Sequence, residues 1–231
     1  MDWKSNPLLQ RVRHWIMPEY CIGCGEKLPL TQHFLCPYCL NNLPRIAGLD
    51  VYYRPEKVLE GKVPFAEFRA DLVFDKRTLV QQLVHLVKYA HKPKLARWLV
   101  RHFFTQQLQQ GHYADVSVVV PVPMLPHKYS ERWYNPAEVI AHEVATLLGA
   151  ELITHVLKRT DTGTQKKKNR EGRWENIAFQ CEPNSLQGKR VLVVDDVCTT
   201  GATLCAVGKA LLESSGAESL SFYTLTFDAL K

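Results

Sequence analysis

The stretch that decides the fold is VVDDVCTTGAT, which runs from Val193 to Thr203. It follows KRVL, so an apolar run ends in two adjacent acids and leads into a Thr-Thr-Gly turn. The continuous apolar run predicts a strand covered on both faces, and the residues after the turn predict a helix ending near Gly216. Ligands of parallel sheets bind beyond the carboxyl ends of the strands, so Asp195 and Asp196 are predicted to lie at a binding site.

This strand–turn–helix junction predicts a site for a phosphate and a sugar. Small residues let the backbone N–H groups of a helix N-terminus approach an anion, and the Thr hydroxyls add donors. Carboxylates accept hydrogen bonds from sugar hydroxyls and hold Mg²⁺, often through water. The alternative is an acid pair that caps the strand and a turn that only caps the helix. A Walker-type site is disfavoured because G-x-x-x-x-G-K-[ST] is missing from the sequence.

Outward from this stretch, strand and helix patterns alternate along the chain. Strands are predicted at 65–74, 116–122, 152–157, 190–195 and 219–227, and helices at 79–90, 95–103, 136–148 and 201–216. This alternation is typical of an α/β fold with a mostly parallel sheet flanked by helices.

Four of the seven cysteines lie within a short segment, as two C-x-x-C pairs separated by eleven residues. They are Cys21, Cys24, Cys36 and Cys39. Four thiolates at this spacing suit tetrahedral Zn²⁺ in a closed, structural site. The alternatives are free structural cysteines or redox pairs. An odd cysteine count in a chain without an export signal argues against a disulfide framework. The aromatic residues in this module either stack on nucleic-acid bases or pack in its small core.

The sequence therefore predicts four parts: an N-terminal helix at 1–20, a zinc-ribbon-like module at 21–42, a linker at 43–64, and a main domain at 65–231. No apolar stretch approaches about 18 residues, so no membrane span is expected. The N-terminal segment lacks the apolar core of a secretion signal, and a cytoplasmic location is expected. The net charge of +6 favours anionic partners.

The stretch VLVVDDVCTTGAT resembles the phosphoribosyl-pyrophosphate (PRPP) motif of type I phosphoribosyltransferases. The resemblance implies that Asp195 and Asp196 contact the ribose 2′- and 3′-hydroxyls. It also implies that the turn wraps the 5′-phosphate, through Thr199, Thr200, Gly201, Ala202 and Thr203. In such sites Mg²⁺ accompanies PRPP.

The resemblance extends over nearly the whole chain. The cysteine module is followed in order by LVHLVKYAHKPKLA, VVVPVPMLPHKYSERWYNPAEVIA, LKRTDTGTQKKKNREGRWENIAF and the PRPP motif. This order is similar to that of the ComF/GntX family, phosphoribosyltransferase-like (glycosyltransferase-type) proteins with an N-terminal zinc module. The family is associated with natural competence, the uptake of transforming DNA. Membership implies that the protein handles single-stranded DNA in the cytoplasm, with competence or recombination proteins as partners.

The family also implies which residues hold the pyrophosphate. The loop from Val122 to Arg132 would contact it, and a mobile loop from Thr160 to Asn176 would close over the site. The segment 158–173 carries seven basic and two acidic residues. It is either a solvated loop, a lid on the pyrophosphate or a track for a DNA backbone. The candidate contacts are Lys88, Arg132, Lys166, Lys167, Lys168 and Arg170.

The chain departs from the family at one point. Where the family reads Arg-Gly-Phe-Asn-Gln, this chain has Arg132-Trp133-Tyr134-Asn135-Pro136. Loss of the glycine argues against a backbone with positive φ at that position, whereas the proline can begin a helix. The departure leaves catalysis open. Three functions are therefore considered: a competence protein that binds PRPP, an active phosphoribosyltransferase with an unknown acceptor, and a regulator that senses PRPP.

Overall fold

The computed structural model describes residues 15–46, 54–89, 92–161 and 177–228 of the 231-residue chain. The chain divides into two compact units, residues 1–44 and 45–231. The helix predicted at 1–20 lies mostly outside the described residues, and the domain boundaries drawn from sequence stay predictions. In the part of the chain that is described, every helix is too short or too polar to cross a membrane.

The first unit has few buried side chains in its described part, 15–44. An antiparallel bridge joins Tyr20 to Lys27, and one short helix, α1, spans Pro37–Asn41. The buried side chains are Cys21, Leu28, Leu35, Cys36, Cys39 and Leu43. Three of these six buried residues are cysteines, so the packing of apolar side chains alone contributes little to the stability of this unit.

The second unit is built on a five-stranded parallel sheet of order β1-β7-β6-β2-β3. Its strands are β1 (Glu67–Val73), β2 (Val118–Pro121), β3 (Glu151–Leu152), β6 (Arg190–Cys198) and β7 (Ser219–Phe227). A separate antiparallel pair consists of β4 (Leu157–Asp161) and β5 (Ile177–Cys181). The sheet confirms the predicted α/β class, and the continuous burial of β2 and β7 is expected of strands covered on both faces.

The α-helices in the described part of this unit are α2 (Leu79–Tyr89), α3 (Pro93–Gln109), α4 (Pro126–Arg132), α5 (Pro136–Leu148) and α6 (Ala202–Ser214). α3 packs on α5, and α5 packs on β2 and β6. α6 packs on β5 and β6. The connections place the starts of α4 and α6 just after the carboxyl ends of β2 and β6, where a ligand site was predicted.

One predicted strand, 152–157, is wrong. The run is divided between β3, which ends at Leu152, and β4, which begins at Leu157. β3 pairs with β2 at the edge of the main sheet, whereas β4 pairs antiparallel with β5. An apolar run cannot reveal this division, because apolar residues are needed for pairing in either sheet.

The described part of the predicted linker also packs on the core of the second unit. Residues Pro55–Val58 form a 3-10 helix, and Leu59 and Val63 are buried among the core side chains. This segment lies against the turn before α6, because Val58 and Leu59 approach Gly201. The segment therefore helps to shape the predicted phosphate turn.

Candidate functional site

The two acids lie within β6, which continues past them to Cys198. Asp195 pairs with Thr224 of β7, and Cys198 pairs with Phe227. The strand is thus longer than the apolar run predicted. Both carboxyl groups remain near the carboxyl edge of the sheet, next to the end of β2 at Pro121, which pairs with Val194.

The acid pair is crowded and only partly balanced by positive charge. The backbone N–H of Asp196 donates to Oδ1 of Asp195 over 2.8 Å. Burial, together with the neighbouring Asp196 carboxylate, raises the pKa of Asp195 to about 8. Nζ of Lys88 lies 3.1 Å from Oδ2 of Asp196, at the end of α2. These oxygens are suited to donors that approach from a ligand, such as sugar hydroxyls or metal-bound water.

The turn after β6 reaches the N-terminus of α6 through a left-handed glycine. Gly201 adopts a left-handed conformation with φ of 74° and precedes the first residue of α6. Thr199 and Thr200 are exposed on the turn. The backbone carbonyl of Gly201 accepts a hydrogen bond from the N–H of Cys205 at 2.8 Å. The predicted turn residues therefore surround the N-terminus of a 13-residue helix.

We expect Gly201→Ala to destabilise the protein by about 2–4 kcal/mol, because the left-handed backbone costs about 1–3 kcal/mol for a residue with Cβ and overpacking adds to it. The added Cβ would lie 2.7 Å from Cγ2 of Val58. Urea unfolding measures the loss. Gly188→Ala is the matched control, because Gly188 has φ of 65° with nothing within 4 Å of an added Cβ. Equal losses in the two variants would refute the predicted clash.

A cavity of about 150 Å³ opens between the acids and a set of basic side chains. It receives residues from α2, the β2–α4 loop, α4, the start of α5 with its cap, β4, β6 and α6. The charged and polar lining residues are Lys88, Lys128, Arg132, Asn135, Arg159, Asp195, Asp196 and Thr203. Four cations facing two carboxylates suit a ligand that combines a sugar with several phosphate charges.

Arg132 is held by an aromatic side chain at the cavity. Its Nη2 donates to the hydroxyl of Tyr89 over 2.8 Å, and its guanidinium carbon lies 4.7 Å from the centre of that ring. Its buried Nε has no hydrogen-bond partner among the described residues. A buried donor without a partner is costly, so Arg132 retains a donor for a bound anion.

Lys128, Asn135 and Arg159 also line the cavity, and sequence reasoning did not single them out as contacts. Lys128 lies within the predicted loop from Val122 to Arg132, and Arg159 within the basic segment 158–173. The four-residue spacing of Lys128 and Arg132 is a signal that could have been used, because such residues neighbour each other on a helix. Arg159 comes from β4 and lies 5.6 Å from the ring of Phe179 on β5. Nothing local in the sequence places it at this cavity. Lys166, Lys167, Lys168 and Arg170 lie outside the described residues, as does most of the loop from Thr160 to Asn176.

The loss of a glycine argued against positive φ at Trp133, and this expectation is wrong. Trp133 ends α4 in the left-handed conformation, with φ of 62°, and its N–H donates to the carbonyl of Tyr129 over 2.8 Å. Pro136 begins α5, as the sequence predicted. Asn135 caps that helix, accepting from the N–H of Ala137 at 3.1 Å and donating to the carbonyl of Val122 at 2.9 Å. These contacts fix the loop without the glycine.

The four cysteines of the first unit come together as the spacing predicted. Their sulfur atoms all lie within 4.8 Å of one another. The N–H groups of Cys36 and Cys39 point to Sγ of Cys21 and Cys36, at 3.3 and 3.4 Å. Burial and the neighbouring thiols raise the pKa of Cys39 to about 12, so four thiolates this close need a cation among them. The cluster therefore fits a metal ion.

Cys198, the last residue of β6 before the turn, has the character of a packing residue. It is buried, and burial raises its pKa to about 12. A thiol held in this neutral form is a poor nucleophile. The turn is thus suited to binding a ligand through N–H groups and hydroxyls rather than through attack by sulfur.

Comparison with known families gives a match over residues 136–229, to the family described as phosphoribosyl transferase domain. The matched stretch contains α5, β3, the β4–β5 pair, β6, α6 and β7, and therefore the acid pair and the turn. The sheet unit is thus of the phosphoribosyltransferase type.

Curated proteins from several bacteria are similar to this chain over most of its length. Competence protein ComFC of Bacillus subtilis is 32% identical over 212 residues, covering 90% of this chain and 83% of that protein. Competence protein F of Haemophilus influenzae is 27% identical over 216 residues, covering 89% and 83%. DNA utilization protein YhgH of Escherichia coli is 24% identical over 210 residues, covering 88% and 87%. Similarity thus extends through both units.

Proposed function

Because this chain belongs to the ComF family of competence proteins, we propose that it handles transforming single-stranded DNA in the cytoplasm and that its phosphoribosyltransferase-type unit binds PRPP. The observation that carries the PRPP site is the pairing of two half-buried acids with a cation-lined cavity beside a left-handed turn. PRPP joins a ribose to a 5′-phosphate and a pyrophosphate, so it requires all three features.

Each part of PRPP has a matching set of side chains. Asp195 and Asp196 accept hydrogen bonds from the ribose hydroxyls, and the turn from Thr199 to Thr203 binds the 5′-phosphate. Lys88, Lys128 and Arg132 face the pyrophosphate. Mg²⁺ supplies further neutralisation of the pyrophosphate charge when it is bound with PRPP. Lys88 contacts Asp196 in the structure, so it must give up part of this ion pair in order to contact the pyrophosphate. Ligand binding is therefore coupled to the Lys88–Asp196 ion pair.

The intact acid pair and turn also favour a second function, active phosphoribosyl transfer. In that reaction the bond from ribose C1 to the pyrophosphate oxygen breaks, and C1 forms a bond to an acceptor that supplies the electron pair. Pyrophosphate leaves with the bonding electrons, and charge builds on the ribose. The basic side chains would stabilise the leaving group. Release of pyrophosphate in the presence of an acceptor distinguishes this function from binding alone.

The first unit supports the proposal through a structural zinc ion. Four thiolates give zinc its preferred closed tetrahedral shell and leave no position for a substrate. For the DNA, the net charge of +6 and the basic segment at 158–173 are favourable. The similar proteins named for competence and for DNA utilization also support a role with DNA.

Two measurements on the full-length, zinc-loaded protein test this function. Calorimetric titration with PRPP and Mg²⁺ should give saturable binding at one site per chain. Fluorescence anisotropy with a labelled oligothymidylate should give binding that weakens steeply with salt, because phosphate contacts release counterions. Lack of PRPP binding would refute the cavity assignment, and lack of oligonucleotide binding would refute the DNA-handling role.

Binding of PRPP should also tighten as pH rises through the raised pKa of Asp195. With a pKa of about 8, this carboxyl is mostly protonated at neutral pH and then accepts poorly from a ribose hydroxyl. Ionising it between pH 7 and pH 9 should strengthen binding by about tenfold. The phosphates of PRPP have second pKa values of about 6, so they are already largely ionised between pH 7 and pH 9.

Calorimetry at pH 7, 8 and 9 measures this dependence, and buffers of different ionisation enthalpy count the protons released at pH 7. Affinity that stays level across this range, with no proton released, would refute the role given to Asp195. Asp195→Asn is the control, since an amide cannot release a proton and its weaker binding should show no slope.

A further inference from the structure

Three exposed aromatic side chains lie around α4, beside the cavity. Tyr89, Tyr129 and Trp133 are 45%, 39% and 81% exposed. The N–H of Trp133 is bonded to the carbonyl of Tyr129, and Arg132 between them donates to the hydroxyl of Tyr89. We call these three side chains the α4 aromatic surface. Exposed aromatic groups clustered in this way are uncommon on a surface without a binding role.

Trp133 has a backbone conformation that favours glycine over a bulky residue. Its φ of 62° is the left-handed region, which glycine adopts freely and which strains a bulky side chain. Its ring is also mostly exposed to water, so the strain is not offset by burial of the large apolar side chain. Strain of this kind persists at functional sites, and the outlier therefore indicates a role in binding.

Basic side chains alternate with these aromatic ones. Lys128 and Arg132 line the cavity, and the Arg132 guanidinium covers one face of the Tyr89 ring. Two acids lie nearby: Glu131 on α4, and Glu138, whose Oε1 accepts from the hydroxyl of Tyr129 at 2.9 Å. The cations at the cavity are still in excess, because Lys88 and Arg159 join them there. Aromatic faces beside clustered cations are complementary to unstacked bases joined by phosphates.

We propose that the α4 aromatic surface binds single-stranded nucleic acid, with a base stacked on Trp133 and the adjacent phosphates at Lys128 and Arg132. The inference rests on the proposed handling of single-stranded DNA and places a contact surface for it on the phosphoribosyltransferase-type unit. A duplex does not fit this surface, because its bases are already stacked and paired. Every base has a π face, so the contact tolerates any sequence.

This assignment differs from the two contacts that the sequence suggested, the cysteine module and the basic segment at 158–173. The cysteine module has aromatic residues and the segment 158–173 has basic residues, and both stay predicted DNA contacts. The α4 aromatic surface adds a stacking position next to Lys128 and Arg132, which line the cavity. Lys128 and Arg132 then serve both ligands, because they line the cavity and directly precede Tyr129 and Trp133 in the chain.

The test compares Trp133→Gly with wild type in anisotropy titrations of two labelled oligomers, oligothymidylate and an abasic strand of equal length and charge. Trp133→Gly relieves the left-handed strain, so its unfolding midpoint should match or exceed that of wild type. Its affinity for oligothymidylate should fall by about tenfold, as for the loss of one base–aromatic stack. Its affinity for the abasic strand should not change.

Two further variants sharpen the comparison. Trp133→Phe keeps an aromatic face and should recover most of the affinity for oligothymidylate. Trp15→Ala removes a tryptophan with the same exposed fraction, 81%, from the first unit and should bind like wild type. An equal loss for both oligomers in Trp133→Gly, or no loss, overturns the inference. Wild type that binds neither strand overturns the proposed DNA handling itself, so the two failures are distinguishable.

Discussion

Removing the zinc ion that we propose for the cysteine cluster, or replacing Cys39 by Ser, is expected to unfold residues 15–44. The described core of this unit is small and half of its buried residues are cysteines, so packing alone cannot hold it. Structural zinc contributes about 10–16 kcal/mol to the folding of small zinc peptides. Without it, the clustered thiols lose their cation and the two C-x-x-C turns separate. The sheet unit has its own core and should stay folded.

Metal analysis by mass spectrometry should find one zinc per chain, and hydrogen exchange should lose its protection only in the first unit after chelation. Cys205→Ser is the matched control for Cys39→Ser, because both thiols are 8% exposed and Cys205 lies outside the cluster. Protection at 15–44 that survives chelation would contradict the zinc assignment. A zinc content unchanged by Cys39→Ser would do the same.

Replacing both acids, Asp195→Asn with Asp196→Asn, should weaken PRPP binding at pH 9 by about 100-fold or more. Two charge-assisted hydrogen bonds to ribose hydroxyls are worth about 1.5–3 kcal/mol each, and their loss is compounded by weaker Mg²⁺ binding. The fold should not suffer, because burial and mutual repulsion already disfavour the charge on Asp195, as its raised pKa indicates. Calorimetry and urea unfolding measure the two effects separately.

The control for this variant is Asp115→Asn with Glu218→Gln. It removes the same number of negative charges, but near the amino ends of the strands, away from the cavity. It should bind PRPP like wild type. Equal weakening in both double variants would mean that only the overall field of the protein attracts PRPP. Unchanged binding in the Asp195 and Asp196 variant would place PRPP elsewhere on the molecule.

The Asp195 and Asp196 double variant, compared with wild type, also separates the candidate functions. If the acid-pair variant loses PRPP but still binds oligothymidylate, the α4 aromatic surface and the ribose site act independently. If pyrophosphate is released by wild type with an acceptor and not by the variant, transfer is supported. Stability that rises in the variant would show that the acids are kept for binding at a cost to the fold, as expected for functional charges.

Local patterns in the sequence were enough to predict the class of fold and the parts of the site that are contiguous in the chain. The alternation of apolar strands and amphipathic helices predicted the parallel sheet, because each pattern depends on the residues nearest to it. The acid pair, the turn and the cysteine pairs were read in the same way. Their members lie a few residues apart, and backbone geometry over that distance has few solutions.

Tertiary structure decided what those residues face. Lys88, Lys128 and Arg159 meet the acid pair from three elements that are distant in the chain. No local pattern encodes that meeting, because it depends on how the helices and the β4–β5 pair lie at one edge of the sheet. Tertiary structure also settled the backbone at Trp133. A residue's propensity disfavours positive φ there, but the helix end and the capped start of α5 impose it.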